Sequence, residues 1–341
     1  MNERKIRNIS KIQLVLFTVV IFITLIVLSL YIILIYRNNR SEDEARAYTG
    51  HYSFVVDDLS DEFLDAVYDS ICSEAAEKGI YVEKVGVGLS GKYTLAQKLE
   101  MAIATEPQGI IIKADDSKDI KLLINKAVSE GIPVSTIITD ITGSERSSFI
   151  GPNYYDLGKV YGEELKRIPY GKKYDVALLM NNSMPESNRN SLFQGLYETL
   201  NSDKKHYDVS IIDIDYTDNL TIEEGIRNAI LNDEADYDAF VATDQLMTAY
   251  TYQALLDYNK IGEVDVLGFY DTETILNGVK NGNLQAVISI EPKQVGKLVT
   301  DSLSDYREYG YSNYFMPVSF DTITAKNIDE YLTSNKEKGE K

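Results

Sequence analysis

From residue 52 onward the chain alternates short apolar runs with longer stretches in which apolar residues return every three to four positions. The first pattern reads as buried strands and the second as helices with one apolar face. Residues 52–56 predict a strand. The segment from about 61 to 78 predicts a helix that sets Phe63, Val67, Ile71 and Ala75 on one side. Strands over 81–87, 109–112 and 134–138 then alternate with helices over 93–104 and 117–130. A βαβαβαβ series of this kind builds a parallel sheet with helices on both faces. The rhythm restarts beyond residue 150. Helices over 155–167, 187–200, 221–231, 245–258 and 273–281 alternate with strands over 175–180, 209–214, 239–242, 264–269 and 285–289. Two consecutive series of similar size predict an α/β protein of two similar doubly wound lobes. Ligands of such folds bind at the carboxyl ends of the strands, here where the lobes face each other.

One stretch breaks the alternation. Residues 13–36 run for twenty-four positions without a charge. As a helix that is about 36 Å long, enough to cross a ~30 Å hydrocarbon core. Arg4, Lys5, Arg7 and Lys11 precede it, whereas only Arg37 and Arg40 follow before a run of acids. The basic bias predicts a single-pass anchor in a bacterial cell membrane, with residues 1–12 cytoplasmic and everything beyond the span extracytoplasmic. A polar tether over 37–50 and a charged, frayed tail over 334–341 complete the predicted layout.

Charge and composition narrow the function. The chain carries −19, and its first 40 residues hold six basic groups and one acid, so the remainder is more acidic than the whole. Such a surface excludes nucleic acid and anionic lipid as partners. A single cysteine, Cys72, rules out an internal disulfide, and two histidines leave little material for a zinc site or a His-assisted nucleophile. Gly86, Gly88 and Gly91 satisfy a dinucleotide-type glycine spacing, with Asp115 and Asp116 downstream. Yet Tyr93 stands where a phosphate loop needs a hydroxyl for magnesium, and an extracytoplasmic domain meets little NAD or ATP. The glycines therefore read as a βα loop at the rim of a lobe, with no cofactor. Paired carboxylates among Asp57, Asp58, Asp61 and Glu62 evoke glycoside hydrolysis, but no second signature supports an enzyme.

The ordered motifs do carry a resemblance. FVVDDLSDEF (54–63), GIIIKADD (109–116), GIPV (131–134), IITD (137–140), FIGPNY (149–154), ATD (242–244), VLGF (266–269) and IEPKQVG (290–296) follow one another as in type I periplasmic sugar-binding proteins. The resemblance is to the ribose-binding class, whose fold is shared by the ligand domain of LacI-type repressors, and it spans about residues 53–332. It implies two lobes joined by three crossovers, near 151–153, 290–292 and 316–319. The lobes would be 51–150 with 291–317, and 151–290 with 318–333. It also implies capture of a small molecule by hinge closure, with a sugar as ligand and an ABC permease or a membrane histidine kinase as partner. By position, Phe63 would stack on the sugar ring, and Asp57, Asp61, Thr139 and Asp140 would bind hydroxyls from the first lobe. Asn188 and Asp244 would contribute from the second, with Tyr154, Tyr216 and Tyr270 near the cleft. Some positions depart from the family pattern. Ala114 replaces a proline, Leu192 an arginine, Tyr270 an aspartate and Ile290 a glutamine. Arg189 and Asp271 are the nearest substitutes for the lost charges. The pocket is therefore expected to be more aromatic and apolar than a ribose site. Within the first acid cluster, Asp57 and Asp61 are assigned to the cleft and Asp58 and Glu62 to solvent. The same acids would also suit a cationic ligand. A sensory protein that docks a kinase ectodomain through a degenerate pocket is the alternative reading.

Overall fold

A computed structural model of the chain describes residues 48–339, apart from 170, 172, 203–205 and 233–235, together with Thr24, Leu28 and Ser29. The predicted membrane span at 13–36 and most of the predicted tether lie outside the described residues. Among the described residues no helix is long and apolar enough to cross a membrane.

The first lobe opens with β1 (Gly50–Val55), α1 (Glu62–Glu77), β2 (Ile80–Lys84), α2 (Leu95–Ala104), β3 (Gly109–Ile112), α3 (Lys118–Ser129), β4 (Val134–Ile137) and β5 (Ser148–Gly151). The second contains α4 (Tyr154–Arg167), β6 (Lys173–Asn181), α5 (Glu186–Asn201), β7 (His206–Ile214), α6 (Asn219–Ile230), β8 (Ala239–Ala242), α7 (Gln245–Asp257), β9 (Asp265–Phe269), α8 (Glu273–Lys280) and β10 (Ala286–Ile290). Then follow α9 (Pro292–Tyr309), β11 (Phe315–Pro317), β12 (Phe320–Thr324) and α10 (Ile328–Gly339). The sheets run β2-β1-β3-β4-β5-β11 and β7-β6-β8-β9-β10-β12, the same order twice. Every pairing is parallel except β10 with β12.

Helices on both faces explain why the central strands are apolar throughout rather than alternating. In β1 and just beyond it, Tyr52, Phe54 and Val56 pack with Phe63, Val67 and Ile71 of α1, while Val55 packs on the other face with Leu99, Ile120 and Ile124. The chain passes between the sheets three times. It leaves β5 for α4, returns from β10 into α9, which packs on α1, and leaves β11 for β12.

Periodicity did not predict β5, α9, β11, β12 or α10. β5 and β11 are only four and three residues long. In α9 the buried face includes Thr300 and Ser302, and in β12 only Ile323 is fully buried, so neither carries a clean apolar pattern. α10 also continues, as helix, into the tail expected to fray.

Candidate ligand-binding cleft

Both sheets have the order in which the chain reverses direction beside the first strand, and the loops after the strands on either side of that point form a crevice. In the first lobe those loops are residues 56–61 and 113–117. In the second they are 182–185 and 243–244. The capping chemistry of the following helices fixes them. Asp61 caps α1 by accepting from the Leu64 N–H (3.0 Å), Ser117 caps α3, and Asp244 caps α7 by accepting from the Met247 N–H (2.9 Å). Lys98, buried on α2, donates to the Val56 carbonyl (2.9 Å) and pairs with Asp58, pinning the first loop from behind. Asp58 is thus engaged rather than free in solvent, although most of its side chain is exposed.

The two lobes enclose a cavity of about 50 Å³, lined by Asp61, Phe63, Lys113, Thr139 and Pro152 on one side and by Tyr154, Asn181, Thr243, Gln245 and Phe269 on the other. It adjoins an open outer cleft of about 810 Å³, and Lys113, Thr139, Asn181 and Met184 line both. The glycine-rich turn lies at the rim: Gly86, Gly88 and Gly91 all have positive φ, and Lys92 and Tyr93 line the outer cleft.

The lobes touch directly. Phe63 meets Phe269 edge-on (5.6 Å between centroids) and Tyr270 (4.9 Å). The Asp140 N–H donates to Asn188 Oδ1 (2.9 Å), and the Asp116 N–H donates to the Ser183 carbonyl (3.1 Å). Tyr154 of α4 donates to the carbonyl of Ile138 (3.0 Å) beside the first crossover. Ile138 and Tyr270 both hold left-handed backbone (φ 62° and 70°) without being glycine. Such conformations persist where the surroundings over-determine them.

The predicted site residues divide. Asp61, Phe63, Thr139 and Asp244 line the inner cavity, while Asp57 and Tyr216 line the outer cleft. Tyr216 donates to Asp244. Asn188 reaches the interface but bonds to the opposite lobe's backbone. Asp140 holds a bidentate pair with buried Arg146 and presents no free carboxylate. Arg189, the expected stand-in for the missing arginine, pairs with Asp213 instead, and Asp271 bonds Ser289 and Tyr331. Leu192 and Ile290 are fully buried core residues, and Tyr270 packs on Phe63 rather than lining the cavity. The sequence reading missed Lys113, Asn181, Thr243 and Gln245. Lys113 had a visible signal, a lone cation directly after the wholly buried strand β3.

Lys113 anchors the electrostatics. Burial works against its ammonium, but Asp57, Asp61 and Asp244 outweigh that and push its pKa up. Its Nζ lies 3.9 Å from Asp57 Oδ2. Burial raises Asp61 to about 6, against the pull of Lys113 and of the Leu64 N–H, and it raises Asp244 as well. A carboxyl whose folded pKa exceeds its unfolded value stabilises the fold below the unfolded pKa, and that contribution is lost as pH rises through the folded one. Relative to Asp61→Asn, which keeps the cap, the wild type is therefore expected to lose up to about 3 kcal/mol of stability between pH 4 and 7. Urea melts of both proteins across that range measure it, and parallel curves would refute the assignment.

The family model for the periplasmic binding protein domain matches residues 52–310. The chain belongs to this family. The binding protein is 22% identical over 246 residues to the D-ribose/D-allose-binding protein of Pseudomonas aeruginosa, covering 69% of this chain and 75% of that one. Among solved structures it resembles GanP, a glucose-galactose binding protein from Geobacillus stearothermophilus (TM-score 0.69, 20% identity, 82% and 98% of the two chains). It also resembles the XylFII–LytSN complex (TM-score 0.68, 22% identity, 81% and 98%). At these identities the structural likenesses bear on the two-lobed fold alone.

Proposed function

We propose that the protein is an extracytoplasmic receptor for a sugar or sugar-like solute, tethered to the cell membrane by residues 13–36 and working by hinge closure. The observation that carries this reading is the enclosed cavity at the carboxyl ends of both sheets, walled by polar groups from both lobes. A ligand bridging the lobes there binds the closed form selectively and shifts the equilibrium toward it. Sugar recognition by the ribose/allose relative supports the ligand class. The uncharged span and its basic flank support the anchor, with the N-terminus cytoplasmic. The closed form would be read by an ABC permease or by a membrane sensor kinase. The assembly of XylFII with LytSN, a protein of this fold with a second protein, favours a dedicated partner.

A thermal-shift panel on the full chain in detergent, covering pentoses, hexoses, amino sugars, nucleosides and polyamines, tests the receptor role. A cognate solute at about a hundred times its Kd is expected to raise the melting temperature by roughly 5 °C. The direct contacts between the lobes favour a second reading, a docking protein whose lobes stay shut through Phe63, Tyr270 and Asn188 without a solute. Silence across the whole panel would support that reading and sink the first.

A further inference from the structure

The hydroxyls around the inner cavity are committed as donors. Thr139 donates to the Ala114 carbonyl (2.6 Å), Tyr154 to that of Ile138 (3.0 Å) and Thr243 to that of Leu179 (2.9 Å). Asn181 turns its amide oxygen inward on its own turn, accepting from the N–H and hydroxyl of Ser183 (2.7 Å each). Two buried acceptors nevertheless stay uncommitted, beside the Lys113 ammonium, whose Nζ lies 3.9 Å from Asp57 Oδ2. Asp61 is 6% exposed and spends one oxygen on its helix cap. Gln245 is 4% exposed, lines the cavity, and its Oε1 has no hydrogen-bond partner. A buried acceptor left unpaired costs free energy until a donor reaches it. Charge points the same way: Lys113 is one ammonium among three carboxylates, Asp57, Asp61 and Asp244.

Size completes the argument. About 50 Å³ holds a small polar group, whereas sites for whole small molecules span roughly 300–1,000 Å³. The outer cleft, at about 810 Å³, has the larger space.

We propose that the ligand carries a protonated amine, as an amino sugar does, with its ammonium in the inner cavity against Asp61 and Gln245 and its hydroxylated body in the outer cleft. This rests on the receptor reading and specifies its ligand class. The ammonium supplies up to three donors, enough for the free Asp61 oxygen and Gln245 Oε1, and its charge offsets part of the carboxylate that Lys113 leaves unbalanced. The lobes must part to admit it, breaking the Phe63–Tyr270 contact, and close again around the amine.

The test is calorimetric titration of the full chain in detergent at pH 7.5 with D-glucosamine, D-galactosamine and D-mannosamine, each beside its neutral parent sugar. At least one amine is expected to bind ten-fold or more tightly than its parent. Asp61→Asn, which keeps the helix cap, is expected to weaken that amine at least ten-fold while a thermal melt shows the variant folded; Asp244→Asn provides the same check from the second lobe. Parent sugars binding as well as the amines would overturn the amine assignment and leave the receptor reading standing. Amine binding indifferent to both variants would overturn the placement. Binding of neither amines nor neutral sugars would overturn the amine assignment and count against the receptor reading as well.

Discussion

Gly158→Ala is expected to cost more than about 3 kcal/mol and to lower the melting temperature by roughly 6–12 °C. Gly158 on α4 and Gly195 on α5 let these helices cross backbone to backbone. A Cβ on Gly158 would fall inside the Leu192 carbonyl oxygen, with the Leu196 amide nitrogen 2.8 Å away; a Cβ on Gly195 would do the same to the Tyr155 carbonyl. The opposing atoms are helical main chain on both sides, so no side chain can swing aside and one helix must shift. Gly225 on α6 is the internal control, because its Cβ would meet only the Ile214 side chain at 3.6 Å. There alanine is expected to stabilise by about 0.5–1 kcal/mol through helix propensity. Parallel thermal melts of the three proteins decide the matter; a Gly158→Ala melt within a degree of wild type would sink the argument. The crossing also bears on the cleft. It fixes α5, and α5 carries Asn188 at its start and buried Leu192 one turn on, so a displaced helix would loosen the contact between the lobes.

The same helix shows where sequence reasoning reached and where it stopped. α5 itself was legible, and so was the repeated βα rhythm, because the strands are buried on both faces and the helices on one. Leu192 at an expected arginine position was legible too, as the loss of a polar anchor. What it does instead was not, since its burial depends on α4, some thirty residues earlier in the chain. Arg189 looked like a substitute because it lies three residues away on the same helix. Its partner, Asp213, comes from the end of β7, a pairing that helical spacing does not reveal. Asp61 illustrates the opposite case. Its cleft position was legible, and the same carboxylate also caps α1, because the N-terminus of that helix is itself part of the cleft. Nothing in the local pattern singles out Gln245, the first residue of α7, or Thr243, just before its cap. Their significance comes from enclosure and from the partners they have or lack, neither of which is written in the local pattern.

Arg146→Met is expected to be the most damaging single change in the first lobe's loops, at about 3–5 kcal/mol, because it leaves the Asp140 carboxylate buried without its counter-charge. The guanidinium grips both Asp140 oxygens, donates to the Tyr314 carbonyl (2.9 Å) and stacks over the Tyr314 ring at 4.0 Å. Its side chain is 2% exposed and that of Asp140 10%. Screening by water is therefore slight, and each charge depends on the other. Asp140→Asn removes one charge and keeps an acceptor, so it is expected to cost less than Arg146→Met. The pair Asp140→Leu with Arg146→Met removes both charges and is expected to recover much of the loss. Urea melts of wild type, Asp140→Leu, Arg146→Met and the pair form the double-mutant cycle, and additive losses would refute the coupling. The resemblance to sugar-binding proteins assigned Asp140 to ligand hydroxyls, whereas this pairing gives its carboxylate to Arg146 and only its backbone N–H to Asn188. Asp140→Asn is therefore expected to change the affinity of any ligand found for the cleft by less than two-fold, against ten-fold or more for Asp61→Asn. A ten-fold loss at Asp140 would mean that the ion pair opens when the ligand binds, returning that carboxylate to the site.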